Sequence, residues 1–164
     1  MKLGLISAIL GDLSFEEMID FLAECGLECV EVACWPKGKA ERRYAGVSHI
    51  DVDTLDDEKC AHILDYCQKK GVEISSLAYY PNTMDPDVEK RTAYIEHLHK
   101  LIDASAKLGV NMITTFIGRD PKKTVSQNLE LVKEIWPPIL DHAKEKGVKV
   151  AIENCPMLFT EDEW

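Results

Sequence analysis

Four times along the chain an amphipathic helical pattern ends in glycine and is followed at once by a short apolar run. These junctions open at Gly26, Gly71, Gly109 and Gly147, at intervals of 45, 38 and 38 residues. Glycine suits the left-handed residue that closes a helix, where a Cβ would clash. The apolar residue just after it (Leu27, Val72, Val110 or Val148) folds back onto the helix and aims the chain into a sheet. A unit that recurs with so constant a period belongs to an array architecture.

Periodicity fills in the segments between the junctions. Strands are expected over residues 2–8, 29–35, 73–79, 111–117 and 149–154. The first helix begins at an N-cap Ser14, with Glu17 three residues on completing a capping box, and runs to Cys25. Phe15, Met18, Ile19 and Leu22 form its inward stripe. A second helix covers 57–70 with Cys60, Ile63, Leu64 and Cys67 inward, and a third covers 86–108. The fourth spans 125–146, where Trp136-Pro137-Pro138 predicts a kink or a restart.

Strict βαβα alternation demands a parallel sheet, because each crossover helix returns the chain to the same edge. Right-handed crossovers then leave an open doubly wound sheet or a closed barrel. A dinucleotide-binding open sheet normally carries a glycine-rich phosphate turn after its first strand. Here that turn reads Ser7-Ala8-Ile9-Leu10-Gly11-Asp12, with no such pattern. The fold class is therefore α/β, a parallel (β/α) barrel of TIM type, ordered βαβαβαβαβ. It amounts to the first five strands and four helices of eight.

Such a barrel takes about 250 residues, and this chain has 164. Thr160 and Glu163 read as a capping box opening a fifth helix. The expectation is one domain over residues 1–164, the N-terminal portion of a longer protein, inactive by itself. Unpaired edges on strands 1 and 5 predict that these 164 residues form an oligomer or an aggregate, and they leave a homo-oligomer open.

The 46% hydrophobic content suffices for a core. No apolar stretch approaches the ~20 residues that span a bilayer, and no signal peptide is evident. A cytoplasmic protein is expected. Nineteen basic against 29 acidic residues give a formal charge of −10, so nucleic acid and anionic membranes are poor partners. Lys37, Lys39, Arg42 and Arg43 form either a local basic patch or a solvated loop. Cys25, Cys29, Cys34, Cys60, Cys67 and Cys155 contain no Cys-x-x-Cys pair. They read as reduced thiols, several of them small core residues.

Barrel chemistry sits at the C-terminal ends of strands and in the loops that follow. Glu153 closes the apolar run 148–152, where a carboxylate is costly to bury unless a metal or hydrogen bonds satisfy it. It shares strand parity with Ala151, so both face the lumen while Val150 and Ile152 pack on helices. The alternative for Glu153 is a structural carboxylate bonded to backbone or a lysine. Glu31 either lines the barrel or forms a buried ion pair. His49 is a ligand, a sugar contact or plain surface. Tyr80 and Asn82 floor a polar pocket or simply make the turn around Pro81. Phe116 and Arg119 follow strand 4; Arg119 binds an anionic group or pairs with Asp120. His62, His97, His99 and His142 read as outer-helix residues.

The stretches Val30-Glu31-Val32, Gly46-Val47-Ser48-His49-Ile50-Asp51, Tyr79-Tyr80-Pro81-Asn82, Thr115-Phe116-Ile117-Gly118-Arg119-Asp120 and Ile152-Glu153-Asn154-Cys155-Pro156-Met157 carry a resemblance. Together with the glycine junctions they resemble the xylose isomerase-like TIM-barrel superfamily, in particular its sugar phosphate isomerases and epimerases. The resemblance implies that Glu153 binds a divalent metal and acts as an acid/base. The further Asp, His and Glu ligands come from strands 6–8. It implies a metal-dependent sugar or sugar phosphate isomerase or epimerase that moves a proton through an enediolate. His49, Tyr80, Asn82, Phe116 and Arg119 would be its contacts to a small-molecule sugar substrate. Oxygen-rich ligation suits Mn, Mg or Co better than Zn. One alternative is a zinc phosphodiesterase of the AP-endonuclease branch, which asks for more strand-end histidines and a basic groove. Another is a non-catalytic barrel relative or inactive fragment that binds a partner through an exposed sheet edge.

Overall fold

This computed structural model describes residues 1–37 and 44–153. Within them strand and helix alternate as β1 (Gly4–Ile6), α1 (Phe15–Glu24), β2 (Cys29–Ala33), α2 (Asp57–Lys70) and β3 (Glu73–Ala78). The order continues with α3 (Val88–Lys107), β4 (Met112–Thr115), α4 (Val125–Glu145) and β5 (Lys149–Ile152), and a 3-10 turn covers Ser7–Leu10. The five strands form one sheet in chain order, every pair parallel. This is the partial TIM-type barrel expected from the repeat.

Local chemistry sets the helix ends as anticipated. The Ser14 hydroxyl accepts the Glu17 N–H while the Glu17 carboxylate accepts the Ser14 N–H, a complete capping box. The four junction glycines all lie at φ between 68° and 70°. Phe15, Met18, Ile19 and Leu22 are buried, and they meet the sheet's helix-facing row of Val30, Val32, Ile74, Leu77 and Ile113 in a single core. On the opposite, lumenal face the β2–β3 register jumps. Val30 pairs with Ile74 but Glu31 pairs with Ser76, so Ser75 is the extra residue of a bulge. Ser75 turns its hydroxyl to the Val30 carbonyl at 3.0 Å.

Four expectations change. The first strand stops at Ile6, because Ser7 bends the chain and accepts the Ala33 N–H on its hydroxyl oxygen at 2.8 Å. Leu64 is 44% exposed; α2 packs through Cys60, Ile63 and Cys67, and Leu64 lies one step further round. The α4 helix runs through Pro137 and Pro138 without restarting. Lys133 and Glu134, whose carbonyls lose their donors to the prolines, are exposed, so water replaces those bonds. His97 is buried rather than on the outer surface. It shares the α3 stripe with Leu98, Leu101, Ile102 and Ser105, donates from Nε2 to the Cys34 carbonyl at 2.8 Å and meets the Tyr79 ring edge-on. Lys39, Arg42, Arg43, Asn154, Cys155, Pro156, Met157, Thr160 and Glu163 fall outside the described residues.

Leu22→Ala should cost about 2–5 kcal/mol, and Leu64→Ala less than about 0.5 kcal/mol. Urea midpoints at unchanged slope measure both. Equal losses would mean that Leu64 is core.

Candidate functional site

On the lumenal side of the sheet a cavity of about 520 Å³ runs from Gly4 and Cys29, at the starts of β1 and β2, to Tyr80 and Glu153 past the ends of β3 and β5, with Glu31, Thr114 and Ala151 on its wall. Strand register explains the set. Glu31 stands opposite Ser76 and Thr114 opposite Ala151, and the Ser76 and Thr114 hydroxyls are 3.5 Å apart. All four therefore share one face of the sheet. Glu31 makes no ion pair with the described residues. Its carboxylate accepts the Tyr80 phenol at 2.5 Å on one oxygen and the Ser76 hydroxyl at 3.2 Å on the other. Burial, then the bond to Glu31, push the Tyr80 phenol well above its ordinary range, so it stays protonated. The Phe116 ring packs on Tyr80 with centroids 4.6 Å apart.

The Glu153 N–H donates to the Thr115 carbonyl at 3.0 Å, carrying the β4–β5 pairing one residue past the strand. That keeps Glu153 in phase with Ala151 and on the cavity wall. Its side chain is exposed and has no hydrogen bond or ion pair to any described residue. The lysine partner that a structural role would supply is absent among them.

The loops after β3 and β4 are joined into one piece. Asn82 accepts the Arg119 N–H at 2.7 Å and donates to the Arg119 carbonyl at 2.8 Å. The Thr83 hydroxyl and the Trp136 indole N–H both donate to the Ile117 carbonyl. Gly118, at φ 86°, lies against this clasp so closely that a Cβ would stand 2.8 Å from Asn82 Oδ1 and from the Met84 nitrogen. Asn128 at the start of α4 accepts the Asp120 N–H and donates to three carbonyls of the same loop. Asn82 is thus a backbone clasp, with its amide groups already occupied.

His49 is similarly engaged. The Ser7 hydroxyl donates to Nδ1 at 3.0 Å, and Nε2 donates to the Leu10 carbonyl at 3.2 Å. Ser7 relays between the Ala33 amide and this ring, so the neutral imidazole ties the β1 turn to the loop after β2. Burial lowers the His49 pKa, in keeping with that neutral form.

The structure brings Glu153 and Tyr80 together at the cavity, packs Phe116 on Tyr80, sets Arg119 in the loop that follows Phe116, and gives His49 and Asn82 protein partners. Sequence reading missed the lumenal hydroxyls of Ser76 and Thr114. The available signal was a hydroxyl in an otherwise apolar strand, and the bulge at Ser75 hid its phase. Among the described residues no group of three or more His, Cys, Asp or Glu is placed to hold a metal. Glu153 fits one position in an oxygen-ligand shell, being exposed, oxygen-bearing and unpaired. Glu31 fits poorly, with both oxygens already accepting hydroxyl donors.

A family model described as xylose isomerase-like TIM barrel matches residues 19–164. No curated protein matches the sequence. Among solved structures, D-psicose 3-epimerase with D-tagatose from Clostridium cellulolyticum H10 is similar at TM-score 0.71 and 18% identity, over 97% of this chain and 54% of that one. The probable 3-DHS dehydratase AsbF from Bacillus anthracis, involved in petrobactin synthesis, is similar at 0.69 and 17%, over 93% and 52%. The IolI protein with a bound zinc atom is similar at 0.64 and 16%, over 93% and 51%. At these identities the likeness is one of fold. The chain spans about half the length of each.

Two outcomes follow from the site. Gly118→Ala should cost about 2–5 kcal/mol, adding a left-handed penalty to a collision, against about 1–2 for Gly71→Ala, where no atom is near. Comparable denaturant midpoints for the two would exclude the clasp. Between its depressed pKa and the ordinary value near 6.5, folded His49 holds fewer protons than the unfolded chain. Stability is then complete above about pH 6.5 and declines as pH falls through that window. His49→Gln should flatten part of this slope in thermal melts. The remainder belongs to His99, held down by burial and by neighbouring His142.

Proposed function

We propose, on the premise that this chain belongs to the xylose isomerase-like TIM-barrel family, that the whole protein is a divalent-metal-dependent sugar or sugar phosphate isomerase or epimerase. The observation that carries the reading is Glu153, a carboxylate at a strand end on the wall of a lumenal cavity and unpaired among the described residues. A carboxylate so placed suits general acid–base work.

In this reading Glu153 is one of a pair of acid/base groups flanking the sugar: one takes a proton from the carbon next to the carbonyl to give an enediolate, and a proton is returned to the opposite face of that carbon by the other for epimerisation, or to the adjacent carbon for isomerisation. Phe116 and Tyr80 form an aromatic wall against which the apolar face of a sugar rests. Tyr80, held protonated and oriented by Glu31, keeps that wall fixed and neutral. Thr114 adds a hydroxyl to the cavity wall, and the buried Ser76 hydroxyl helps Tyr80 to hold the Glu31 carboxylate beside it. Glu153 also supplies one oxygen ligand to the metal; the other ligands and the second acid/base lie outside these 164 residues. When bound, a divalent cation polarises the sugar carbonyl and acidifies the neighbouring C–H. Oxygen ligands favour Mn, Mg or Co. A soluble cytoplasmic enzyme acting on a small sugar, with no nucleic acid or membrane partner, completes the proposal. The fragment alone would be inactive.

The test uses the full-length protein and Glu153→Gln. Bound metal should fall at least tenfold, and deuterium exchange next to the carbonyl of a ketose should drop by two orders of magnitude or more. Unchanged metal content would remove Glu153 as a ligand. No exchange by the wild type across a broad ketose panel would end the isomerase reading.

A further inference from the structure

For Arg119 the sequence leaves two roles, an anionic ligand or its neighbour Asp120. The structure removes the second. Asp120 is buried and already satisfied: its Oδ2 accepts Lys123 Nζ at 2.6 Å and its Oδ1 accepts the Lys122 N–H at 2.9 Å. Among the described residues the Arg119 guanidinium has no hydrogen-bond or ion-pair partner, and its Nε is buried without an acceptor. A buried donor with nothing to bond is destabilising, and an oxygen from a ligand would relieve it.

The mount of this side chain is unusually firm. Asn82 grips the Arg119 backbone at both N–H and C=O, Gly118 before it has no room for a Cβ, and Asn128 latches Asp120 after it. Rigid fixing of a backbone whose side chain bonds to none of the described residues is the arrangement of a preorganised ligand contact. Charge agrees. This short loop carries Arg119, Lys122 and Lys123 against Asp120, on a chain of formal charge −10. A guanidinium is permanently charged, and its planar fork of donors matches the paired oxygens of phosphate or carboxylate. Arg119 stands three residues after Phe116, and the residue that grips it stands two after Tyr80, so the loop adjoins the cavity.

We infer that the β4–α4 loop binds an oxyanion carried by the substrate, with Arg119 as its anchor. The inference rests on the sugar reading above and narrows it to anionic sugars, a phosphate monoester or a sugar acid.

Thermal melts of full-length wild type and Arg119→Gln, in inorganic phosphate or a hexuronate against sodium chloride of equal ionic strength, test the anchor without turnover. The wild type should be stabilised beyond the salt control, with apparent affinity at least tenfold weaker in the variant. A phosphate response identifies a phosphate monoester site, and a response to hexuronate alone a carboxylate site. No stabilisation of the wild type, or equal stabilisation of both proteins, would overturn the inference. Deuterium exchange on a ketose and on its phosphate or acid separates this result from the broader reading. The anionic sugar should be favoured at least tenfold in kcat/KM, and Arg119→Gln should narrow that preference through KM. Exchange indifferent to the anion in both proteins sinks the anchor and leaves the isomerase standing. An anion response in the melts with no exchange on any sugar does the reverse.

Discussion

Val30, Val32, Ile74, Leu77 and Ile113 project from the sheet into the helical layer, where they meet Met18, Ile19 and Leu22 and are buried with them. Full burial of such a side chain contributes about 1.5–3 kcal/mol, so the five strand residues together stabilise the fold by on the order of 10 kcal/mol. Because side chains alternate along a strand, that burial also fixes the phase of every residue between them. A slip of one position would expose this row and drive Glu31 into the helices. The polar lumen is therefore a consequence of the apolar core. Glu31, Ser76, Thr114 and Ala151 face one another because their neighbours must face away.

Much of this was legible in the residues. The glycine junctions, the Ser14–Glu17 box and the α1 stripe rest on spacing within one element, and each stands as read. The parity of Glu153 with Ala151 could also be counted along a single strand. What escaped depends on contacts between elements. The bulge at Ser75 reverses the phase of β3 midway, and nothing in Glu73–Ala78 announces it. His97 looks like a polar helix residue until its acceptor, the Cys34 carbonyl 63 positions earlier in the chain, is brought beneath it. Asn82 has the composition of an ordinary turn, and only the second loop reveals that its amide serves Arg119. Leu64 failed for a simpler reason: a helical stripe has an edge, and Leu64 lies beyond it.

The two lumenal carboxylates show how environment divides labour between like groups. Glu31 stands beneath the cavity mouth, and its oxygens are taken by a phenol and a serine hydroxyl. Neutral donors satisfy it without a countercharge, which leaves it a fixed acceptor that holds Tyr80 in place. Glu153 sits one step beyond the last strand pair, where the ladder supplies only its backbone partner and solvent reaches the side chain. A group held by two donors is poorly suited to exchange protons or ligands; a group held by none among the described residues is well suited. Difference in role thus follows from depth along the strand, which the same five-strand register sets.

Between these depths the two loops behave as a single mount. Each fastening joins a small polar side chain, from the loop after β3 or from α4, to a backbone group of the loop after β4: Asn82 to Arg119, Thr83 to Ile117, Asn128 to Asp120. Backbone acceptors do not change rotamer, so the geometry they hold is more exact than one made between two flexible side chains. The same loop ties Asp120 to Lys123. Among the described residues nothing on this mount engages the Arg119 guanidinium. A loop that satisfies its carboxylate while leaving its strongest multivalent donor unmatched among the described residues has its binding capacity concentrated at one side chain. The ligand that completes it must then bring oxygen acceptors and negative charge.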